Sequence, residues 1–323
     1  MNPIRVAVVG TGAFGRNHVR VLNECPGAQL AGVVDIIEDR AAAGAAPYGC
    51  PVFANHLELD GKVDAAILAV PTSAHADVGC ELLEHGIDVL VEKPIAADRE
   101  SAQRLIDAAE RNGRILMVGH LERFNPAVAA LKKLINLPLF FEVHRMSLFS
   151  PRSLDIDVVL DLMIHDLDII LDFVGQEPEE VRAAGISVLS EKVDIANVRL
   201  AFSTGCVANL TASRVSTERV RKLRVFQPSQ YISLDYSRQE AAAFAVQPGQ
   251  KIDFQMLAVE KNEPLKLEVE HFLECVETRA TPRVSGRDGA RALDAALGIL
   301  AKIEEHAEIV ARQLKVLPGQ PRA

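Results

Sequence analysis

The 323-residue chain has no tryptophan and only three tyrosines. That scarcity argues against a carbohydrate-stacking module, which needs exposed aromatic faces. Cysteine is also sparse: Cys25, Cys50, Cys80, Cys206 and Cys275 are odd in number and widely scattered. No Cys-x-x-Cys pair occurs, so neither a disulfide framework nor a cysteine zinc site is supported. A reducing cytoplasm is the expected compartment. No apolar run approaches the roughly 18 residues of a membrane span. The N-terminus runs from Asn2-Pro3 straight into the strand-like Val6–Val9, without the longer apolar region and cleavage site of a secretory signal. Positive charge is in deficit, with 35 Lys and Arg against 44 Asp and Glu, a net charge of −9. Nucleic-acid binding needs clustered Lys and Arg on the phosphates, so no nucleic-acid partner is expected. A locally basic pocket for a small anion remains compatible with this balance.

What is present has a globular balance, with 49% hydrophobic and 24% charged residues, and a length that suggests two domains. No repeat or low-complexity linker is visible. Up to about residue 120, short apolar runs alternate with helical patterns. Ile4–Val9 reads as a strand buried on both faces, with further strands at Leu30–Val34, Ala65–Val70, Asp88–Val91 and Ile115–Val118. Helices are expected at Gly15–Glu24, at Glu81–His85 before Gly86, and at Asp98–Asn112 before Gly113. Such spacing implies a parallel sheet with helical crossovers.

The pattern then changes. A helix over Asn125–Leu134 precedes longer alternating segments: Phe140–Leu148, Val181–Leu189, Ala196–Phe202, Val207–Ser213 and Leu223–Gln227. Alternation predicts antiparallel strands with one wetted face. An uncovered sheet face calls for a partner, so a homodimer or homotetramer is expected. Helical patterns return at Leu265–Glu277 and Gly289–Ala311. The expected domains are residues 1–120 and 121–323, with the last helices free to pack back on the first domain.

Gly10-Thr11-Gly12-Ala13-Phe14-Gly15 fits G-x-G-x-x-G, directly after a buried-strand run and directly before a helix. Gly10 permits the tight turn, Gly12 lets backbone approach a pyrophosphate, and Gly15 lets helix and strand pack closely. The helix N-terminus favours the anion. Asp35 lies 20 residues past Gly15, at the end of the second strand, where a ribose-binding acid belongs. The plainer alternatives are an ordinary strand-to-helix turn for the glycines and a strand-end turn residue for Asp35. A carboxylate there accepts from the 2′-hydroxyl of NAD and repels the 2′-phosphate of NADP, so NAD is the expected cofactor and NADP the lesser alternative.

Glu92-Lys93-Pro94 ends another buried strand, at the sheet edge where ligands bind in open α/β folds. Lys is costly to bury without purpose. Beside a cationic nicotinamide ring it would be a usable proton donor or relay. The plainer alternative is a solvated strand-end lysine.

Residues 158–174 are apolar around most of a helix, yet Asp161, His165, Asp168 and Asp172 fall at i, i+4, i+7 and i+11 on one face. Asp161 is close enough to orient the His165 imidazole. Three readings stay open: a catalytic pair, a narrow solvated stripe, and a metal site of Asp161, His165 and Asp168.

Together these motifs resemble the family of glucose-fructose oxidoreductase and inositol dehydrogenase over essentially the whole chain. The glycine loop, Asp35, the turn Pro71-Thr72-Ser73-Ala74-His75, Glu92-Lys93-Pro94 and Asp161 to His165 occur in that family's order. The resemblance implies an N-terminal Rossmann domain with a mostly parallel sheet. It implies a C-terminal α+β domain with an open, mostly antiparallel sheet whose outer face makes the oligomer. It adds Pro71, Thr72, His75 and Glu92 to the cofactor-binding set of Gly10, Gly12, Ala13, Phe14, Gly15, Asp35 and Lys93. It also implies that Lys93, Asp161 and His165 surround the reacting carbon of a sugar or polyol. Two features depart from the family pattern: Asp155–Leu160 stands where glycines usually precede the helix, and Met163 replaces a glycine within it. Gly119–Pro126 and Asp161–Asp166 resemble the branch that oxidises UDP-N-acetylglucosamine at C3.

The expected chemistry is alcohol-to-ketone oxidation by hydride transfer to NAD, without a metal. His165 is the base, Asp161 orients it, and Lys93 stabilises the alkoxide or relays the proton. Arg123 and Asn125 are expected to hold substrate, and Arg123, Arg145 and Arg152 to grip a nucleotide-sugar diphosphate. The run Arg214, Arg219, Arg221, Lys222 and Arg224 is either a further contact or a solvated or edge-protecting strand face. Rival readings are a free-polyol dehydrogenase, a non-catalytic dinucleotide-binding regulator and a metal-dependent hydrolase.

Overall fold

The computed structural model describes residues 3–150, 156–247, 249 and 251–316. The chain divides into two compact units, one of the residues up to Asn125 with Asn262–Leu293, the other of Pro126–Lys261 with the residues from Asp294 on.

The first unit begins β1 (Ile4–Val9), α1 (Gly15–Glu24), β2 (Ala28–Val34), α2 (Glu38–Ala45) and β3 (Val52–Phe53). It continues with β4 (Ala65–Leu68), α3 (His75–Glu84), β5 (Asp88–Glu92), α4 (Arg99–Asn112) and β6 (Leu116–Gly119). The sheet order is β3-β2-β1-β4-β5-β6 and every pairing is parallel. This is the doubly wound order, which reverses between β1 and β4 and opens a crevice at their carboxyl ends. β-branched and aliphatic residues form these strands because both faces are covered: Val6, Ala7, Val8 and Ala65–Leu68 are fully buried. Each large aliphatic side chain so buried contributes about 1.5–3 kcal/mol. Local signals set the helix limits. The Asp98 carboxylate accepts the Ser101 N–H at 2.8 Å to start α4, and Gly113 at φ +60° ends it. A later helix, Pro264–Thr278, completes this unit by packing against α1.

The second unit contains α5 (Pro126–Lys132), β7 (Phe140–Leu148), a π-helical turn (Val159–Met163) and α6 (Ile164–Val174). Then come β8 (Glu180–Ile186), β9 (Ile195–Ala201), β10 (Val207–Ser216), β11 (Val220–Gln227), β12 (Gln230–Asp235), β13 (Glu240–Gln247) and β14 (Lys251–Met256). The last helices of the chain are α7 (Pro264–Thr278), which belongs to the first unit, and α8 (Gly286–Val316), whose residues up to Leu293 belong to the first unit and from Asp294 on to the second. The sheet order is β14-β13-β12-β11-β7-β10-β9-β8; β7 pairs β10 in parallel and all other pairs are antiparallel. One face is buried, with Phe141, Val143, Ala196, Val198, Leu200, Leu223 and Val225 nearly inaccessible. The other carries Glu142, Arg199, Asn209 and Arg224, joined in cross-strand pairs such as Arg224 to Glu142 at 3.0 Å.

The structure differs from the sequence expectation in several places, and α2 and β3 are among the elements not anticipated. β12, β13 and β14 were not anticipated, because Ala241, Ala242 and Ala243 are weak strand formers and β14 is exposed throughout. Arg221, Lys222 and Arg224 lie on β11, between β12 and β7, so they protect no edge. The polar helix does not begin as a regular α-helix; the π turn Val159–Met163 precedes α6.

Candidate active site

The glycine loop leaves β1 at Gly10, whose φ is +92°. A Cβ on Gly10 would lie 2.5 Å from the Ala69 carbonyl oxygen, and one on Gly15 would lie 1.9 Å from the Gly10 oxygen. Gly12 faces open space, with nothing within 4 Å of where its Cβ would be. No side chain caps α1 and its first turn holds no acid. Among the described residues, the N–H groups of Gly12, Ala13 and Phe14 meet no protein acceptor. Open donors on a helix N-terminus fit a diphosphate. Asp35 closes the cradle: its carboxylate accepts from the Thr11 N–H, the Thr11 hydroxyl and the Ile37 N–H.

At the carboxyl end of β5, Lys93 follows the buried Glu92 and forms a cis peptide with Pro94. Pro71 and Thr72 follow β4 on the same sheet edge. His75 was expected to touch the cofactor. Its ring is instead 1% exposed, with Nδ1 3.0 Å from the Pro94 carbonyl oxygen and Nε2 3.0 Å from that of Val70. Burial lowers its pKa, and the bonds to Val70 and Pro94 partly offset this. His75 therefore braces the turn that carries Lys93 rather than offering a nitrogen to a ligand.

Arg123 and Asn125 are buried just past β6. Arg123 donates to the Arg283 carbonyl at 3.0 Å, and Asn125 donates to Glu122 Oε2 at 3.1 Å. These bonds stiffen the segment after β6. His120 beside them is fully buried, and burial, with Lys93 and Arg123 adding to it, pushes its pKa down to about 3.

In the second unit, Asp161 lies on the π turn and His165 opens α6. π turns inside helices recur at functional sites. The entry to this turn is tied down: Val193 donates to Asp157 Oδ1 at 2.9 Å, and the buried Arg214 donates to the Ile156 carbonyl. Arg214 is thus a structural residue. His165 and Asp168 are 9% and 3% exposed, so the solvated-stripe reading fails for them. Asp172 pairs with Lys132 at 2.7 Å. The trio Asp161, His165 and Asp168 does not assemble as a metal site among the described residues; the one such cluster there lies elsewhere.

Arg145 also departs from expectation. Its guanidinium grips Asp166 with two hydrogen bonds, 2.6 and 3.0 Å, and lies 4.9 Å from the Tyr236 ring centroid. Both partners are almost fully buried, so this fork belongs to the core and does not hold a diphosphate. Arg152 lies outside the described residues.

The residues missed in the sequence are His18, Glu122, His120 and Glu268. His18 follows Gly15 by three positions, and its ring meets that of Phe14 edge-on with centroids 5.6 Å apart; that offset is its only sequence signal. Glu268 sits on an apolar helix face next to Val269 and Leu265, where its carboxyl reads as an interruption.

A model described as the oxidoreductase family, NAD-binding Rossmann fold, matches residues 4–120, and one for the GFO/IDH/MocA C-terminal domain matches residues 144–227. The UDP-N-acetylglucosamine 3-dehydrogenase of Acidithiobacillus ferrooxidans is 37% identical over 309 residues, covering 93% of this chain and 97% of that protein. The scyllo-inositol 2-dehydrogenase (NAD(+)) of Bacillus subtilis is 28% identical over 320 residues, covering 92% and 93%. The solved structure of the Acidithiobacillus ferrooxidans enzyme matches with a TM-score of 0.90 at 36% identity, covering 94% of this chain and 99% of that one.

Proposed function

This chain belongs to the Gfo/Idh/MocA oxidoreductase family, and from that premise we propose that it oxidises the C3 hydroxyl of UDP-N-acetylglucosamine to a ketone, with NAD as acceptor. The observation that carries the substrate is the 37% identity to a UDP-N-acetylglucosamine 3-dehydrogenase along 93% of the chain. Asp35, held by Thr11 and Ile37 at the end of β2, supports NAD over NADP, since a fixed carboxylate repels a 2′-phosphate.

When bound, NAD supplies the hydride acceptor. The open N–H groups of Gly12, Ala13 and Phe14 hold its diphosphate, and Asp35 accepts from its ribose. His165 takes the hydroxyl proton on a ring nitrogen, as histidine most often does in general base catalysis. Asp161 orients that ring, and the Lys93 ammonium stabilises the alkoxide as it forms. Arg123 and Asn125, stiffened after β6, hold the sugar. The open face of the second sheet forms a homodimer or homotetramer. The cysteines are all unpaired, as the cytoplasm proposed for the protein would keep them.

The test is cofactor reduction, followed by absorbance. UDP-N-acetylglucosamine with NAD gives turnover, whereas free N-acetylglucosamine and myo-inositol give little. Equal or faster reaction with the free polyols overturns the nucleotide-sugar assignment and leaves the family standing.

A further inference from the structure

Three elements of the first unit bring titratable groups to one buried point: His18 from α1, Glu92 from the end of β5 and Glu268 from α7. Their ligand-type atoms all lie within 4.8 Å of one another. Glu268 is fully buried and neither of its oxygens has a hydrogen-bond partner. Glu92 is not alone: His18 Nε2 lies 2.6 Å from its Oε1, and the Lys93 N–H donates to its Oε2 at 3.2 Å. Room for this carboxylate comes from the facing position on β6, where a Cβ on Gly119 would sit 3.0 Å from Glu92 Oε2.

Two carboxylates this close in a buried site are not both charged; one keeps its proton. Glu92 has two donors directed at it and Glu268 has none, so the charge belongs on Glu92 and the proton on Glu268. Burial, with the Glu92 charge adding to it, raises the Glu268 pKa well above its ordinary value, in the same direction. His18 Nδ1 has no partner. Left as a bare lone pair it is less costly than a buried N–H, which places the imidazole proton on Nε2, toward Glu92. A metal fits poorly. Two ligands held by one zinc at about 2.0–2.1 Å stand roughly 3.3 Å apart in a tetrahedron, whereas His18 and Glu92 are at hydrogen-bond distance.

We propose that His18, Glu92 and Glu268 form a positioning triad for Lys93, in which a neutral Glu268 packs beside a charged Glu92. Through it, α1, which carries the glycine loop, and α7 are both fastened to the residue immediately before Lys93. The functional part of this proposal rests on Lys93 as the reactive lysine. The protonation part does not.

The experiment has two arms. Infrared difference spectra of wild type minus Glu268→Gln at neutral pH show the carbonyl stretch of a protonated carboxylic acid; a difference with only carboxylate bands overturns the proposal. This arm involves no substrate, so it stands apart from the assignment of the UDP-sugar. In turnover assays with NAD and UDP-N-acetylglucosamine, Glu268→Gln keeps kcat within a few-fold, since its neutral amide fills the same space as the protonated carboxyl. Glu268→Ala lowers kcat about 10²-fold, the cost of a misplacement near 1 Å, with KM for NAD little changed. Equal losses in the two variants overturn the proposal. So does a divalent metal that co-purifies at one per chain with wild type and is lost from Glu268→Gln.

Discussion

Asp35 receives both polar hydrogens of Thr11 on a single oxygen, Oδ2, the backbone N–H at 2.8 Å and the hydroxyl at 2.9 Å. Its other oxygen accepts the Ile37 N–H at 3.0 Å. Burial pushes this carboxyl up, but the bonds from Ile37 and Thr11 together outweigh it, and the net shift is downward. A carboxylate has about four acceptor sites, so one remains for a ribose hydroxyl. Ile36 next to it is 96% exposed, so an arginine fits there without packing cost. Asp35→Ser with Ile36→Arg is expected to raise the NADP-to-NAD ratio of kcat/KM at least about tenfold, or 1.4 kcal/mol. Tighter binding of NADP by the unaltered protein contradicts the role given to Asp35.

His165→Ala is expected to lower turnover about 10²- to 10⁴-fold, the usual contribution of a general base. Lys93→Ala also cuts turnover, while cofactor binding measured by fluorescence titration is largely retained. A near-normal rate in the His165 variant removes that residue from the chemistry.

The places of the glycine loop, Asp35 and Lys93 at the sheet edge were legible because only glycine fits at Gly10 and Gly15, and buried-strand runs point to the sheet edge. β7 and α1 matched the sequence reading residue for residue, since each carries an uninterrupted period. The roles of His75, Arg145 and Arg214 were not legible. Each is satisfied by a distant group, namely the Val70 and Pro94 carbonyls, Asp166, and the Ile156 carbonyl. Sequence order alone does not say whether a buried cation faces a ligand or an aspartate. The π turn was hidden for a related reason, because its side chains have the same apolar pattern as an α-helical turn.

His120 gives the acid limb a direction. Its folded pKa is about 3 against 6.5 for an unburied histidine. Between those values the unfolded chain binds a proton that the native chain does not. Stability therefore falls as pH drops below 6.5, by up to about 1.4 kcal/mol per pH unit from this group. Above 6.5 the group contributes no slope. Urea midpoints at pH 7 and pH 5 are expected to differ less for His120→Asn than for wild type; an identical difference rules His120 out as the cause.

On the open face of the second sheet, Phe140, Phe226, Tyr231, Phe244 and Phe254 form a ladder across five strands, with successive centroids 5.7, 4.9, 5.3 and 4.9 Å apart. Ile252 and Phe254 on the edge strand β14 are 70% and 55% exposed. A continuous apolar strip on an edge is an association surface. Light scattering at micromolar concentration is expected to give a dimer or tetramer, and Ile252→Lys with Phe254→Glu a monomer of unchanged thermal stability. A wild-type monomer contradicts this.

The Arg145–Asp166 pair separates a structural arginine from a ligand-binding one. Both side chains are at most 3% exposed and the fork is bidentate. Removing one member leaves a buried charge uncompensated, so Arg145→Ala is expected to cost about 3–5 kcal/mol of stability. Replacing both, Arg145→Met with Asp166→Leu, removes the charge and its desolvation together, and stability returns most of the way. In that double variant the KM for UDP-N-acetylglucosamine is expected to stay within a few-fold of wild type, because the guanidinium is already committed to Asp166. A folded double variant with KM raised 100-fold and kcat retained would mean that Arg145 leaves Asp166 to bind the diphosphate, and would return it to the substrate site.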